Sequence, residues 1–261
     1  MTGESAGFGP YVARTLFGLY GWVVFILCAL FALLAVLFVP GEERRHKLAA
    51  GASRAIFVLA GIPAEIHGLD NIPDGHAVVV ANHASYVDGF LLKGYLPSRF
   101  SFVVKGEMRG VPVAHFLLRR SGAKFVERFS ASGSSRDARK IVKAARGGHS
   151  LAFFPEGTFR REAGVNRFRA GAFVSAVRGH MPIVPIAISG TREILPAGRM
   201  WPWPARPRFE VLPPIMPNDA AFEDHRVLAE KARQQILAAL DEPDLCAQST
   251  PGQATGSGDP A

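Results

Sequence analysis

HAVVVANHASYVD, residues 76–88, is a short run of small and β-branched residues that stops abruptly in polar ones. SLAFFPEGT, residues 150–158, has the same form. An apolar run too short for a helix, closed by polar and turn-forming residues, reads as a strand buried on both faces, the kind found inside parallel sheets. Working outward, similar short runs recur at 64–68, 101–105, 123–127, 183–189 and 207–212. Between them lie segments of helical spacing at 86–95, 113–120, 134–146, 170–179 and 221–240. Strands alternating with helices predict an α/β domain, a mixed, largely parallel sheet flanked by helices.

The flanks differ in composition. Leu16 to Val39 runs for about 24 residues without a formal charge, long enough to cross a hydrocarbon layer of about 30 Å. No basic start or small-residue cleavage site makes it a signal peptide. An N-terminal membrane helix is expected, followed at 49–62 by a short interfacial or buried helix. Arg44, Arg45, Lys47 and Arg54 follow the run, against Arg14 alone before it. That asymmetry predicts that the bulk of the chain lies on the cytoplasmic side of the inner membrane. The net charge of +8 suits an anionic lipid surface beside such a segment. No nucleic-acid-binding module, dinucleotide glycine pattern or metal-ligand spacing is present, and Cys28 and Cys246 make no disulfide framework. After Leu240 the composition becomes polar and rich in glycine and proline. The expected organisation is an anchor over 1–62, a catalytic domain over 63–240 and a disordered tail over 241–261. WPWP at 201–204, with Arg206 and Arg208, reads either as a membrane-dipping loop or as an ordinary proline-rich surface loop.

Reactive groups in open α/β sheets gather beyond the carboxyl ends of the strands. If the strands at 76–81 and 150–154 are parallel neighbours, His83 and Glu156 emerge on one edge. Five residues apart on a regular helix, His83 and Asp88 would point about 140° apart. With His83 in the strand-to-helix turn and Asp88 in the first helical turn, they can converge, although the spacing alone reads first as a loop histidine and a helix-capping aspartate. The carboxylate would then set the imidazole tautomer and leave the other ring nitrogen as a general base.

The chain also resembles the glycerolipid acyltransferase family, whose 1-acylglycerol-3-phosphate acyltransferases carry four ordered blocks. Here these are Asn82-His83 with Asp88, then Gly122 to Arg128 (GAKFVER), then Phe154 to Thr158 (FPEGT), then Val184 to Ile188 (VPIAI). The likeness covers roughly 62–214, about one domain's worth of chain. It implies that His83 deprotonates an acceptor hydroxyl, with Asp88 holding His83, and that the hydroxyl attacks an acyl thioester directly. By the same resemblance Lys105, Gly122, Arg128, Glu156, Gly157, Thr158 and Arg169 bind substrate, with Arg128, then Lys105, then Arg169 as candidates for recognising the acceptor phosphate. Backbone N–H groups of the 155–158 turn are expected to help hold the oxyanion. No metal or bound cofactor is implied; acyl-CoA or acyl carrier protein is the co-substrate.

The implied activity is acylation of 1-acylglycerol-3-phosphate to phosphatidic acid. Another lysolipid, such as a lyso-ornithine lipid or lysophosphatidylethanolamine, is the alternative acceptor, and a non-catalytic membrane lipid-binding protein is the alternative class. One departure bears on this: Phe159 intervenes after Thr158, where the family more often has Arg or Lys directly.

Overall fold

The structure, a computed structural model, describes residues 8–105, 112–120, 123–126 and 149–247, together with positions 110, 142, 143, 145 and 147. Seven strands are β1 (Glu65–His67), β2 (Val78–Ala81), β3 (Ser101–Lys105), β4 (Lys124–Val126), β5 (Leu151–Phe153), β6 (Ile183–Ser189) and β7 (Arg208–Val211). They form one sheet in the order β1-β7-β6-β2-β5-β3-β4. β6, β2, β5, β3 and β4 run parallel, while β7 pairs antiparallel with β6 and carries β1 with it. All seven expected strands form, each trimmed by a residue or two at most, apart from the lead-in to β2.

The helices are α1 (Phe8–Phe38), α2 (Glu42–Leu59), α3 (Asp88–Tyr95), α4 (Pro112–Arg120), α5 (Gly171–Gly179) and α6 (His225–Ala238). β2 shows why its sequence is apolar throughout. Val78 and Val80 face a core shared with Phe173 of α5 and Leu228 and Ile236 of α6. Ala77, Val79 and Ala81 face a second core with Leu91 and Leu92 of α3, Phe57 of α2 and Val24 of α1. Side chains alternate across a strand, so a strand covered on both sides needs apolar residues at every position. The expected helix at 134–146 lies mostly outside the described residues.

Three expectations about segment boundaries change. The second N-terminal helix starts at Glu42 instead of 49, because Glu42 and Glu43 suit its amino end and Glu43 pairs with Lys47 at 2.7 Å. The last helix is broken at Asp224, whose carboxylate accepts the Arg226 N–H at 2.7 Å and so caps α6 after a 3₁₀ turn at Ala220–Glu223. Residues 241–247, expected to open a disordered tail, are instead tied to the domain. Arg192 holds Glu242 at 3.0 Å, and Arg233, its side chain only 5% exposed, holds Asp244 at 2.8 Å. Arg233 also holds Glu230 of its own helix at 2.8 Å, so Asp244 is the second carboxylate on this buried guanidinium. Arg233 keeps the Asp244 carboxyl at about 2, mainly through that hydrogen bond. Residues 248–261 lie outside the described residues.

Tyr11–Phe38 is the one helix among the described residues long and apolar enough to cross a membrane. Its buried residues, Gly18, Val24, Cys28, Ala35 and Val36, lie on the domain, while most of the rest of the helix does not. Leu16, Val23, Leu27, Leu30, Leu34 and Phe38, among others, are exposed. The WPWP loop grips this helix. Trp22 Nε1 donates to Met200 O at 2.9 Å, Trp201 covers Gly18, and Trp203 lies under Arg199 and Arg14 at 3.9 and 4.6 Å.

Candidate active site

β2 and β5 are parallel neighbours, with Val80 opposite Phe153, so the polar residues that follow both strands share one edge. Asn82 extends the sheet where β2 ends. Its amide donates to Ile188 O and accepts from Ile188 N, both at 2.8 Å, replacing two ladder bonds with side-chain ones. Its place in the N-H block is therefore structural: it fixes where the strand stops and His83 begins.

The turn from β2 into α3 wraps around Asp88. This carboxylate is fully buried, and its Oδ2 accepts from Ala84 N at 2.7 Å, from Ser85 N at 2.8 Å and from His83 Nδ1 at 2.8 Å. Two backbone donors place the oxygen and the third contact uses it. The Ser85 hydroxyl closes the turn from behind, donating to Leu195 O at 2.7 Å. With Nδ1 committed as a donor, neutral His83 carries its lone pair on Nε2, as a general base requires. The His83 side chain keeps 17% of its surface exposed, enough for a substrate atom to reach it.

Glu156 works from the neighbouring strand. It is 7% exposed, and its two oxygens accept from His83 N at 2.8 Å and Asn166 N at 2.9 Å. It therefore locks the backbone of His83 while Asp88 locks the ring. Burial raises its carboxyl to about 7, opposed by the N–H donors of Asn166 and His83. The 154–157 turn is closed by Gly157 N on Phe154 O at 3.0 Å, and Gly157 sits at φ +87°, a conformation that strains any side chain. That N–H is spent on closing the turn. Thr158 and Arg169 are exposed, and Arg169 N donates to Pro155 O at 2.9 Å, bringing the start of α5 against the turn.

Lys105 closes β3 on the same edge of the sheet. Its side chain, and Gly122 and Arg128 entirely, lie outside the described residues. Two aromatic rings that the motif reading did not use as site residues flank the imidazole, and a third backs one of them. Phe154 stacks on His83 at 4.1 Å, Phe159 meets it at 4.5 Å, and Tyr86 meets Phe159 edge-on at 4.7 Å. Phe154 had a sequence signal as the head of the FPEGT block and Phe159 through its intrusion after Thr158; Tyr86 had none. Tyr86 also lines an apolar cavity of about 230 Å³ between α1, α2 and α3, walled by Trp22, Phe25, Phe57, Phe90 and Leu195 among others.

The His83–Asp88 pair forms where the sequence placed it, on a partly exposed imidazole, and the acyltransferase family model matches over 63–189. Residues 63–189 are an acyltransferase-family domain. Among relatives, a chloroplast 1-acyl-sn-glycerol-3-phosphate acyltransferase of Arabidopsis thaliana is 29% identical over 165 residues, covering 62% of this chain and 46% of its own length. The corresponding enzyme of Saccharomyces cerevisiae is 24% identical, covering 86% of this chain and 73% of its own. The chain thus spans about half the length of the chloroplast relatives. A solved 1-acyl-sn-glycerophosphate acyltransferase from Thermotoga maritima superposes with a TM-score of 0.72 at 23% identity, over 88% of this chain and 97% of that one. The chain therefore shares that fold.

Proposed function

We propose that the protein is a membrane-associated O-acyltransferase that moves a fatty acyl group from acyl-CoA or acyl carrier protein to the free hydroxyl of 1-acylglycerol-3-phosphate. The observation that carries this is the His83–Asp88 pair, 2.8 Å apart at the carboxyl edge of the sheet, with the carboxylate buried and held by two further N–H groups. His83 Nε2 takes the hydroxyl proton as the oxygen attacks the thioester carbonyl. The buried carboxylate stabilises the imidazolium that forms, without itself taking the proton. When the tetrahedral intermediate collapses, the C–S bond breaks and the imidazolium returns its proton to the departing thiolate. No residue of the chain is acylated.

The apolar cavity beside Tyr86 offers a place for acyl-chain carbon. The exposed part of α1 brings the domain to a lipid surface, where both the acceptor and its product reside. Arg44, Arg45 and Lys47 beyond α1 favour the cytoplasmic face of the inner membrane. A different lysolipid acceptor is the second reading; it is favoured by Phe159 lying against His83 where the family more often has a cation.

The test is transfer from labelled acyl-CoA or acyl carrier protein by the purified chain in detergent, across a panel of lysolipids. Acylation of lysophosphatidate, absent in a His83→Ala variant with an unchanged melting temperature, is the expected result. Transfer confined to another lysolipid moves the acceptor, and binding of lipid without turnover from either donor replaces the enzyme with a lipid-binding protein.

A further inference from the structure

Phe159 is half-buried, and it is placed against both His83 and Tyr86. Tyr86 is 47% exposed and lines the apolar cavity. The rings therefore form a continuous apolar surface from the cavity to the imidazole, with Phe154 stacked on the imidazole as well. The chemistry of the site gives this surface a task. A base that removes a proton from a lipid hydroxyl can remove one from water, which is smaller and fits wherever the hydroxyl fits. Nothing in the His83–Asp88 pair tells the two nucleophiles apart.

We propose that Phe159, backed by Tyr86, is a specificity-determining residue that makes His83 serve the lipid acceptor and not water. The wasteful reaction is fully specified. A water oxygen bonds to the thioester carbonyl, its proton passes to His83 Nε2, the C–S bond breaks and the thiolate leaves with that proton, giving a free fatty acid and a thiol. Apart from His83 Nε2, the bare hydrocarbon offers a water at that position no hydrogen-bond partner, whereas an acceptor lipid can cover the rings with its own carbon. Excluding water from a reacting centre is a recognised way of suppressing such hydrolysis. The inference rests on the acyltransferase reading and adds what that reading lacks, the source of discrimination at the base.

The experiment measures thiol release from acyl-CoA by the purified full chain in detergent, without acceptor and with the preferred lysolipid, while separating fatty acid from diacyl product. The readout is the ratio of hydrolysis to transfer, which does not depend on the fraction of folded enzyme. Phe159→Ala should raise it by about tenfold, the equivalent of about 1.4 kcal/mol of relative barrier, and Phe159→Tyr should restore it. A ratio unchanged in Phe159→Ala, or two rates that fall in parallel, overturns the proposal. Should Phe159→Ala not fold, Tyr86→Ala must raise the ratio in the same direction, and an unchanged ratio there overturns it equally. Hydrolysis as fast as transfer in the wild type sinks this proposal and leaves acyl transfer standing. Absence of transfer to every lysolipid strikes the acyltransferase reading first and this one with it.

Discussion

Replacing Asp88 with Asn removes one charge from a fully buried position and leaves the shape intact. Its Oδ2 accepts three hydrogen bonds of 2.7 to 2.8 Å, and its Oδ1 is buried without a partner. The amide oxygen of Asn can take the Oδ2 place, which puts the –NH₂ into the Oδ1 place with two donors and no acceptor. Leaving such a group buried costs about 1–3 kcal/mol, and the three bonds lose their charge assistance as well. A stability loss of about 2–4 kcal/mol follows, which lowers the melting temperature by about 5–10 °C in a domain of this size. The rate falls further, because the imidazolium of the transition state loses its counter-charge. General-base catalysis contributes about 10²–10⁴, so kcat should drop by that factor while both KM values change little. The assay is initial rate at saturating donor and acceptor, beside a thermal melt of the same preparation. A folded Asp88→Asn protein that keeps more than about a tenth of wild-type kcat refutes the role given to the pair.

Glu156 predicts a pH dependence of stability. Its folded carboxyl titrates at about 7, above the ordinary unfolded value of about 4.3, so the folded state holds the extra proton. The associated stability is fully present below about pH 4.3 and is lost as pH rises through about 7. Glu156→Gln should flatten that slope while adding a constant penalty, since one amide cannot accept from both His83 N and Asn166 N. Denaturant midpoints across pH 4 to 8 check it, and a slope that survives the substitution refutes the assignment. At the other end of the site, a Cβ on Gly18 would overlap the Trp201 indole. All three tryptophans, Trp22, Trp201 and Trp203, lie at this junction, so Gly18→Ala should shift and quench the intrinsic fluorescence. Gly51→Ala, where a Cβ meets nothing within 4 Å, should leave it unchanged.

The sequence by itself determined the strands, because a strand covered on both faces must be apolar at every residue and its ends must show as polar or turn-forming residues. HAVVVA and SLAFF have that form, and their polar followers announced where a site would sit. The pairing of His83 with Asp88 was legible for the same local reason: both belong to one short turn, whose geometry the chain sets within a few residues. Features built from distant parts of the chain left no comparable trace. Glu156 reaches back to His83 N across 73 residues, Asn82 bridges to Ile188 across 106, and Trp22 bonds Met200 across 178. A polar tail segment looked free until Arg192 and Arg233 proved to hold its carboxylates. The aromatic surround of His83 likewise joins Tyr86 from the turn into α3 with Phe154 and Phe159 from the loop after β5. Composition records what each segment must bury. Which segments meet is a property of the sheet order, which places β5 beside β2 and β6 on its other side, and only the folded chain contains it.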